Sequence, residues 1–258
     1  MITLYQFQFS HFCEKARWAL DFKGLPYTCK NLLPGPHLKV AKKLAPKTCL
    51  PILVHDGTVV QDSSAIITFL DEKHPDGLLT PRDASLAKEA LDWEKYLDEE
   101  IGVTLRLWFY FHTLPDRERA LRFLLEGAPW YGRPLMAVIY PGVRDAMRKA
   151  MNINADAAEK SEKRLLAALD RLDDALRGRR FLVGDSFSRA DLTACALLSS
   201  YCASGRSDAE LEAAYPVQAC ELRKRHATRP FFGWVIDTCK RHRRPSHTVR
   251  DSRPSRPH

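Results

Sequence analysis

Ser10 and Cys13 stand three residues apart in Ser10-His-Phe-Cys13, between a stretch that alternates like a strand and one with helical spacing. A helix beginning here points unpaired N–H groups and a partial positive charge at its own start, which favours an anion such as a thiolate. Ser10 can cap that helix, or it can donate its hydroxyl proton to a bound sulfur and favour the ionised form. Lowering a thiol pKa from about 8.5 by about two units takes roughly 3 kcal/mol, which a charge-assisted hydrogen bond and a helix terminus can supply together. Serine at position 10 leaves Cys13 without the partner of a C-x-x-C redox centre, so Cys13 reads as a partly buried thiol. Tyr5, inside the preceding strand, is the second hydroxyl candidate. His11 can assist proton transfer or simply lie exposed.

A second group is Gln61-Asp62-Ser63-Ser64-Ala65-Ile66. Asp62 and Ser63 open another helix, where a carboxylate can cap N–H groups or pair with an ammonium, and where a hydroxyl and free N–H groups can hold a carboxylate. Upstream, Pro51 opens the apolar run Ile-Leu-Val, a position at which proline removes a ladder donor only at the strand's end. Ser188 and Asp191 form a capping box flanked by Phe187 and Leu192 as a hydrophobic staple, a device for folding rather than catalysis.

These residues need a scaffold, and the sequence punctuates one. Residues 2–7 read as a strand, 14–23 as a helix stopped by Gly24, and 25–33 as a second strand parallel to the first across the crossover. A short helix follows from His37 to Leu44. Asp56-Gly57 joins two further strands as a hairpin, and Ser63 to Lys73 supplies a helix, giving the order βαβαββα. His74-Pro-Asp-Gly-Leu-Leu-Thr-Pro breaks the chain near residue 80, beyond which no strand pattern recurs.

From Ala84 onward Ala90, Trp93, Leu97, Ile101, Leu105 and Trp108 line one face of a long helix, and 161–176 and 188–201 read as two more. The stretch from Pro115 to Asn154, with Trp130, Tyr131 and Tyr140 and several Gly and Pro, reads as a long connection that either roofs a site or packs on the surface. The fold class is therefore an α+β domain followed by an all-α domain.

Taken together, the motifs resemble those of the cytosolic glutathione transferases, in the bacterial type with serine at the thiolate position. Ser10-His-Phe-Cys13 is similar to the family's S-x-[FY]-C start of the first helix. Ala45-Pro-Lys-Thr-Cys-Leu50-Pro51-Ile-Leu resembles its N-P-x-G-K-V-P-[VI]-L stretch, Gln61–Ile66 its [EQ]-S-x-A-I, and Gly184–Ala194 the signature of its helical domain. The resemblance implies a thioredoxin-like glutathione-binding domain over 1–80 and a helical second-substrate domain over 84–240. It implies glutathione as co-substrate with no metal, conjugation to small apolar electrophiles in detoxification, and a homodimer.

By resemblance, Ser10 holds the thiolate, with Tyr5 and Cys13 in reserve, and Leu50 before a cis Pro51 pairs with the cysteinyl backbone of glutathione. Asp62 and Ser63 take its γ-glutamyl end. Cys49 replaces the residue that reaches the glycine carboxylate, leaving Lys39, Lys42, Lys43 or Lys47. Arg106, Trp108, Tyr110 and His112 are expected in the second-substrate pocket. The alternatives are a glutathione-dependent thiol reductase using Cys13 and a non-catalytic scaffold of the same fold.

Composition narrows the partners. The 258 residues carry a net charge of +8, but seven Lys or Arg against one Asp lie from Lys240 onward, so only +2 belongs to the rest. That distribution argues against a nucleic-acid surface on the globular part, and 241–258 reads as a basic, disordered tail. Seven scattered cysteines make neither a disulfide framework nor a zinc site. With no membrane-length apolar run and no leader-like start, the expected location is the cytoplasm, away from membranes.

Overall fold

The computed structural model describes residues 1–249 apart from Ala203, Ser204 and Arg206. Its first half follows the expected order: β1 (Ile2–Gln6), α1 (His11–Phe22), β2 (Tyr27–Asn31), α2 (His37–Leu44), β3 (Ile52–His55), β4 (Thr58–Gln61) and α3 (Ser63–Lys73). The sheet order is β2-β1-β3-β4, with β1 and β2 parallel and the other two pairs antiparallel. Asp56 and Gly57 both take positive φ, 47° and 87°, the turn that lets a two-residue hairpin follow the twist of its strands. Leu4, Ile52, Leu53, Ile66 and Ile67 are wholly buried between the sheet and its helices.

The second half is helical: α4 (Ala84–Leu97), α5 (Val103–Thr113), α6 (Arg117–Leu124), α7 (Gly132–Ala150), α8 (Ala155–Ala175), α9 (Arg189–Cys202), α10 (Asp208–Ala214), α11 (Val217–His226) and α12 (Pro230–His242). One continuous core spans both halves, joining Leu4, Trp18 and Ile67 to Leu97, Leu169, Leu197 and Phe231. Among the described residues no helix is long and apolar enough to cross a membrane.

Three expectations change. The long helix from Ala84 is interrupted by a π-helical turn, Asp98–Gly102, before α5. Its last residue packs closely on the start of α1: a Cβ at Gly102 would lie 2.7 Å from Phe12 Cζ, so any larger residue here would have to displace the Phe12 ring. The stretch 115–154, expected as a long connection that roofs a site or packs on the surface, is largely α6 and α7. Pro141 is tolerated inside α7 on its exposed side, and the Tyr140 hydroxyl pins the helix by donating to Leu114 O at 2.7 Å.

The third change is the C-terminus. Residues 241–249 do not hang free: α12 runs to His242, and the chain then crosses the edge of β2. Val249 N–H donates to Tyr27 O at 2.8 Å and Tyr27 N–H donates to His247 O at 3.3 Å. An edge strand offers unpaired backbone groups, and here they bind this segment. Asp21, 0% exposed, anchors it by accepting from Arg243 at 2.5 Å and from His247 N–H at 3.0 Å. Composition registered the charge of these arginines, but not the buried carboxylate that meets it. The remainder of the expected tail, 250–258, lies outside the described residues.

Candidate active site

Ser10 ends the loop between β1 and α1. Its N–H donates to Phe7 O at 3.2 Å, and its extended backbone, φ −82° and ψ 124°, makes it the N-cap of α1. The cap bond from Cys13 N–H to Ser10 Oγ is long, 3.4 Å. Because that bond uses only a lone pair, the hydroxyl proton stays available to a ligand.

Two adjoining cavities meet at this residue. A narrow one of about 60 Å³ runs between Ser10 and α5 and is walled chiefly by aromatic rings, among them Trp108, Tyr110 and Tyr201. A wider one of about 310 Å³ is polar, lined by Gln8, Glu14, Arg17 and Arg243. Phe9, Ser10, His11, Phe123, Ser200 and Tyr215 border both. The fold thus brings Ser10 together with Arg106, Trp108 and Tyr110. His112, one turn beyond Trp108 on α5, does not line either cavity; it packs edge-on to Trp108 with centroids 4.9 Å apart. Trp108 shows the cavity only its ring, since its indole N–H donates to Glu162 at 3.1 Å.

Burial sets the protonation states. Cys13 is 0% exposed and desolvation pushes its thiol up, the reverse of what a nucleophile at neutral pH needs. His11 is drawn down to about 3 by burial and by the Arg106 guanidinium beside it, so its imidazole is neutral. Tyr110 is pushed up to about 12 by burial and remains a phenol. Cys13 lines neither cavity.

The remaining expected residues lie elsewhere in the sheet domain and line neither cavity. The Leu50–Pro51 peptide is cis, and Leu50 sits just outside the β1–β3 ladder. Gln61, read only as part of a motif, clips the preceding loop: its amide donates to Lys47 O and Cys49 O, both at 2.8 Å. Asp62 caps α3, accepting from Ser64 and Ala65 N–H at 2.9 and 3.2 Å. It does so at φ 94°, a backbone region that costs a non-glycine residue about 1–3 kcal/mol and recurs where ligands are held. Ser63 is 2% exposed, Lys39 is exposed on α2, and Tyr5 is half-buried in β1 opposite Ile52.

Behind the start of α3 lies a group that sequence reasoning missed. Lys15, fully buried on α1, reaches Glu94 at 2.9 Å, Asp98 at 2.7 Å and the Ser64 hydroxyl at 2.9 Å. Arg189 closes it from α9, donating to Glu94 at 2.7 Å and to Ser64 O at 3.0 Å. Burial raises the Asp98 carboxyl. The signal was a lysine on the apolar face of α1; its partners lie 49 to 83 residues away in the chain. Among the described residues no group of three or more His, Cys, Asp or Glu is placed to hold a metal ion.

Comparison with known proteins places both halves of the chain in known domain families. Residues 4–80 match the glutathione S-transferase N-terminal domain and residues 135–230 the C-terminal domain. Glutathione S-transferase 1 of Dianthus caryophyllus is 34% identical over 147 residues, covering 49% of this chain and 66% of that protein. Glutathione S-transferase Z1 of Arabidopsis thaliana is 40% identical over 96 residues, covering 36% and 42%. The chain thus aligns with less than two thirds of either plant relative. In fold it is similar to the Ceriporiopsis subvermispora glutathione S-transferase solved in complex with glutathione, with TM-score 0.64, 16% identity, and 93% and 95% of the two chains covered.

Proposed function

The chain belongs to the glutathione S-transferase family, matched in both halves, and from that premise we propose that it conjugates the glutathione thiolate to small, largely apolar electrophiles. The carrying observation is Ser10, whose hydroxyl stands at the N-terminus of α1 and at the junction of the polar and aromatic cavities. The helix terminus and the hydroxyl proton stabilise the sulfur anion, and the electrophile approaches it from the aromatic side.

In this reading residues 1–80 hold glutathione. Leu50 offers backbone pairing beside Pro51, Asp62 keeps a carboxylate oxygen for the ammonium, and the N–H groups opening α3 together with Ser63 take the α-carboxylate. One of the α2 lysines, with Lys39 the first choice, meets the glycine carboxylate. Residues 84–240 supply Arg106, Trp108 and Tyr110 as the wall of the second site. A cytoplasmic homodimer belongs to the same reading.

The buried, unactivated Cys13 favours this over a thiol reductase. Retention on immobilised glutathione, followed by conjugation of an aryl halide by wild type and Ser10→Ala, tests it. No binding at millimolar glutathione sinks the transferase reading. Activity that survives Ser10→Ala but disappears with Cys13→Ala transfers the role to the thiol.

A further inference from the structure

Two histidines outside the candidate active site meet ring to ring. His55 ends β3 and His74 is the C-cap of α3. Their Nε2 atoms lie 3.3 Å apart, with ring centroids separated by 5.4 Å and planes inclined at 59°. Neither residue lines the cavities beside Ser10, so the conjugation chemistry makes no use of the pair.

The distance between the two nitrogens suits a metal better than a proton. An N–H hydrogen bond in a protein usually spans roughly 2.7–3.2 Å, so 3.3 Å makes a slack one. Zinc–imidazole bonds are about 2.0–2.1 Å long, and two of them at the tetrahedral angle hold their nitrogens about 3.3–3.4 Å apart. At right angles, as in an octahedral site, the same bonds would need only about 2.8–3.0 Å. The pair therefore already has the bite of a tetrahedral ion, and imidazole is a favoured ligand of zinc.

The surroundings fit that role. Asp56 Oδ2 lies 3.5 Å from His55 Nδ1, while its other carboxylate oxygen meets the Met1 ammonium. A carboxylate on that side favours the ring proton on Nδ1 and a lone pair on Nε2, as outer carboxylates do for metal-bound histidines. Phe69 packs edge-on to the His55 ring with centroids 5.6 Å apart, which restricts its rotation. Burial, His55 and Lys23 hold the His74 imidazole below the usual histidine range, so it is neutral at pH 7. The Lys23 ammonium is itself matched by Asp71 at 2.9 Å. Both histidines are half-buried, which leaves water to complete the coordination.

We propose that His55 and His74 form a two-histidine zinc site, with Asp56 orienting His55 and water in the remaining positions. The protein supplies only these two ligands, since among the described residues no group of three or more His, Cys, Asp or Glu is placed to hold an ion. The ion ties the end of β3 to the end of α3 and takes no part in conjugation. The site goes beyond the transferase reading and stands if that reading falls.

The test is equilibrium dialysis of the full chain against Zn²⁺ alone at about pH 7.5, where unperturbed imidazole is neutral. The wild type is expected to retain one equivalent at sub-millimolar zinc. His55→Gln and His74→Gln are each expected to weaken that binding more than about ten-fold, and Asp56→Asn by about ten-fold. Cys49→Ser, which removes an exposed thiol, is expected to leave it unchanged. No zinc retained by the wild type overturns the proposal, and so does retention that survives both histidine substitutions or disappears with Cys49→Ser. Thermal unfolding gives a second reading: zinc should raise the Tm of the wild type and not that of His74→Gln, because an ion that binds only the folded chain stabilises it. An equal rise in both places the ion elsewhere, and no rise in the wild type leaves the histidines as a hydrogen-bonded pair; either result overturns the site. The wild-type measurements need no variant to fold.

Discussion

Lys15 Nζ and Glu94 Oε1 lie 2.9 Å apart with side chains 0% and 3% exposed, joining the first helix of the sheet domain to the first helix of the second half. Removing one member of such a pair leaves a buried charge unmatched, at a cost of about 3–5 kcal/mol. Lys15→Met is therefore expected to lower stability by that amount in urea denaturation. Lys15→Met combined with Glu94→Gln is expected to recover part of the loss. Additive losses in the double variant refute the coupling.

Asp191 predicts a pH dependence. Burial raises its carboxyl from 3.8 to about 6, against the hydrogen bonds it accepts from Leu182 N–H and Ser188. The folded chain then holds the proton more tightly than the unfolded chain, so this group's contribution falls as pH rises from about 4 to about 6 and is flat above. The stability difference between wild type and Asp191→Asn, measured at steps across that window, should change in this sense. A difference that is constant with pH contradicts the burial argument.

Ser10→Ala removes a hydrogen bond to a thiolate as well as a helix cap. Conjugation is expected to fall roughly ten- to hundred-fold in kcat/KM, and the acidic limb of its pH profile to move up as the bound thiol becomes harder to ionise. Stability should fall by only about 1 kcal/mol. A rate loss without movement of that limb assigns Ser10 to capping alone.

Arg243→Ala strips the main cation from buried Asp21 and loosens the segment over β2. The measurement is amide hydrogen exchange at Tyr27 and Val249, whose N–H groups bond across this edge. Both are expected to exchange at least ten-fold faster, while amides of β1 are unchanged. Unaltered protection means the backbone pairing holds the strap unaided.

Gly102→Ala places a methyl against the Phe12 ring. Overpacking of this kind costs about 1–3 kcal/mol, and Phe12→Leu in the same chain should restore most of it by opening the space. If the single variant is as stable as wild type, the close approach of α5 to α1 does not require glycine.

Much of the scaffold was written locally. The βαβαββα order, the Asp56-Gly57 hairpin and the caps at Ser10, Asp62 and Ser188 follow from hydrophobic period, turn chemistry and short-range hydrogen bonds, which involve residues at most a few positions apart. Residue types alone nominated Ser10, Asp62 and Ser63, because a helix start offers the same unpaired N–H groups wherever it is placed.

What the sequence could not order by itself were meetings between distant residues. Lys15 finds Glu94, Asp98 and Arg189, and Arg243 finds Asp21, only because helices from both halves share one core. Helix phasing could not decide between Trp108, which reaches the cavity, and His112, which turns aside, since a cavity is bounded by several elements at once. Nor could it reveal that His11 is neutral: that state depends on burial and on Arg106, 95 residues away, and both arise only when the chain is folded.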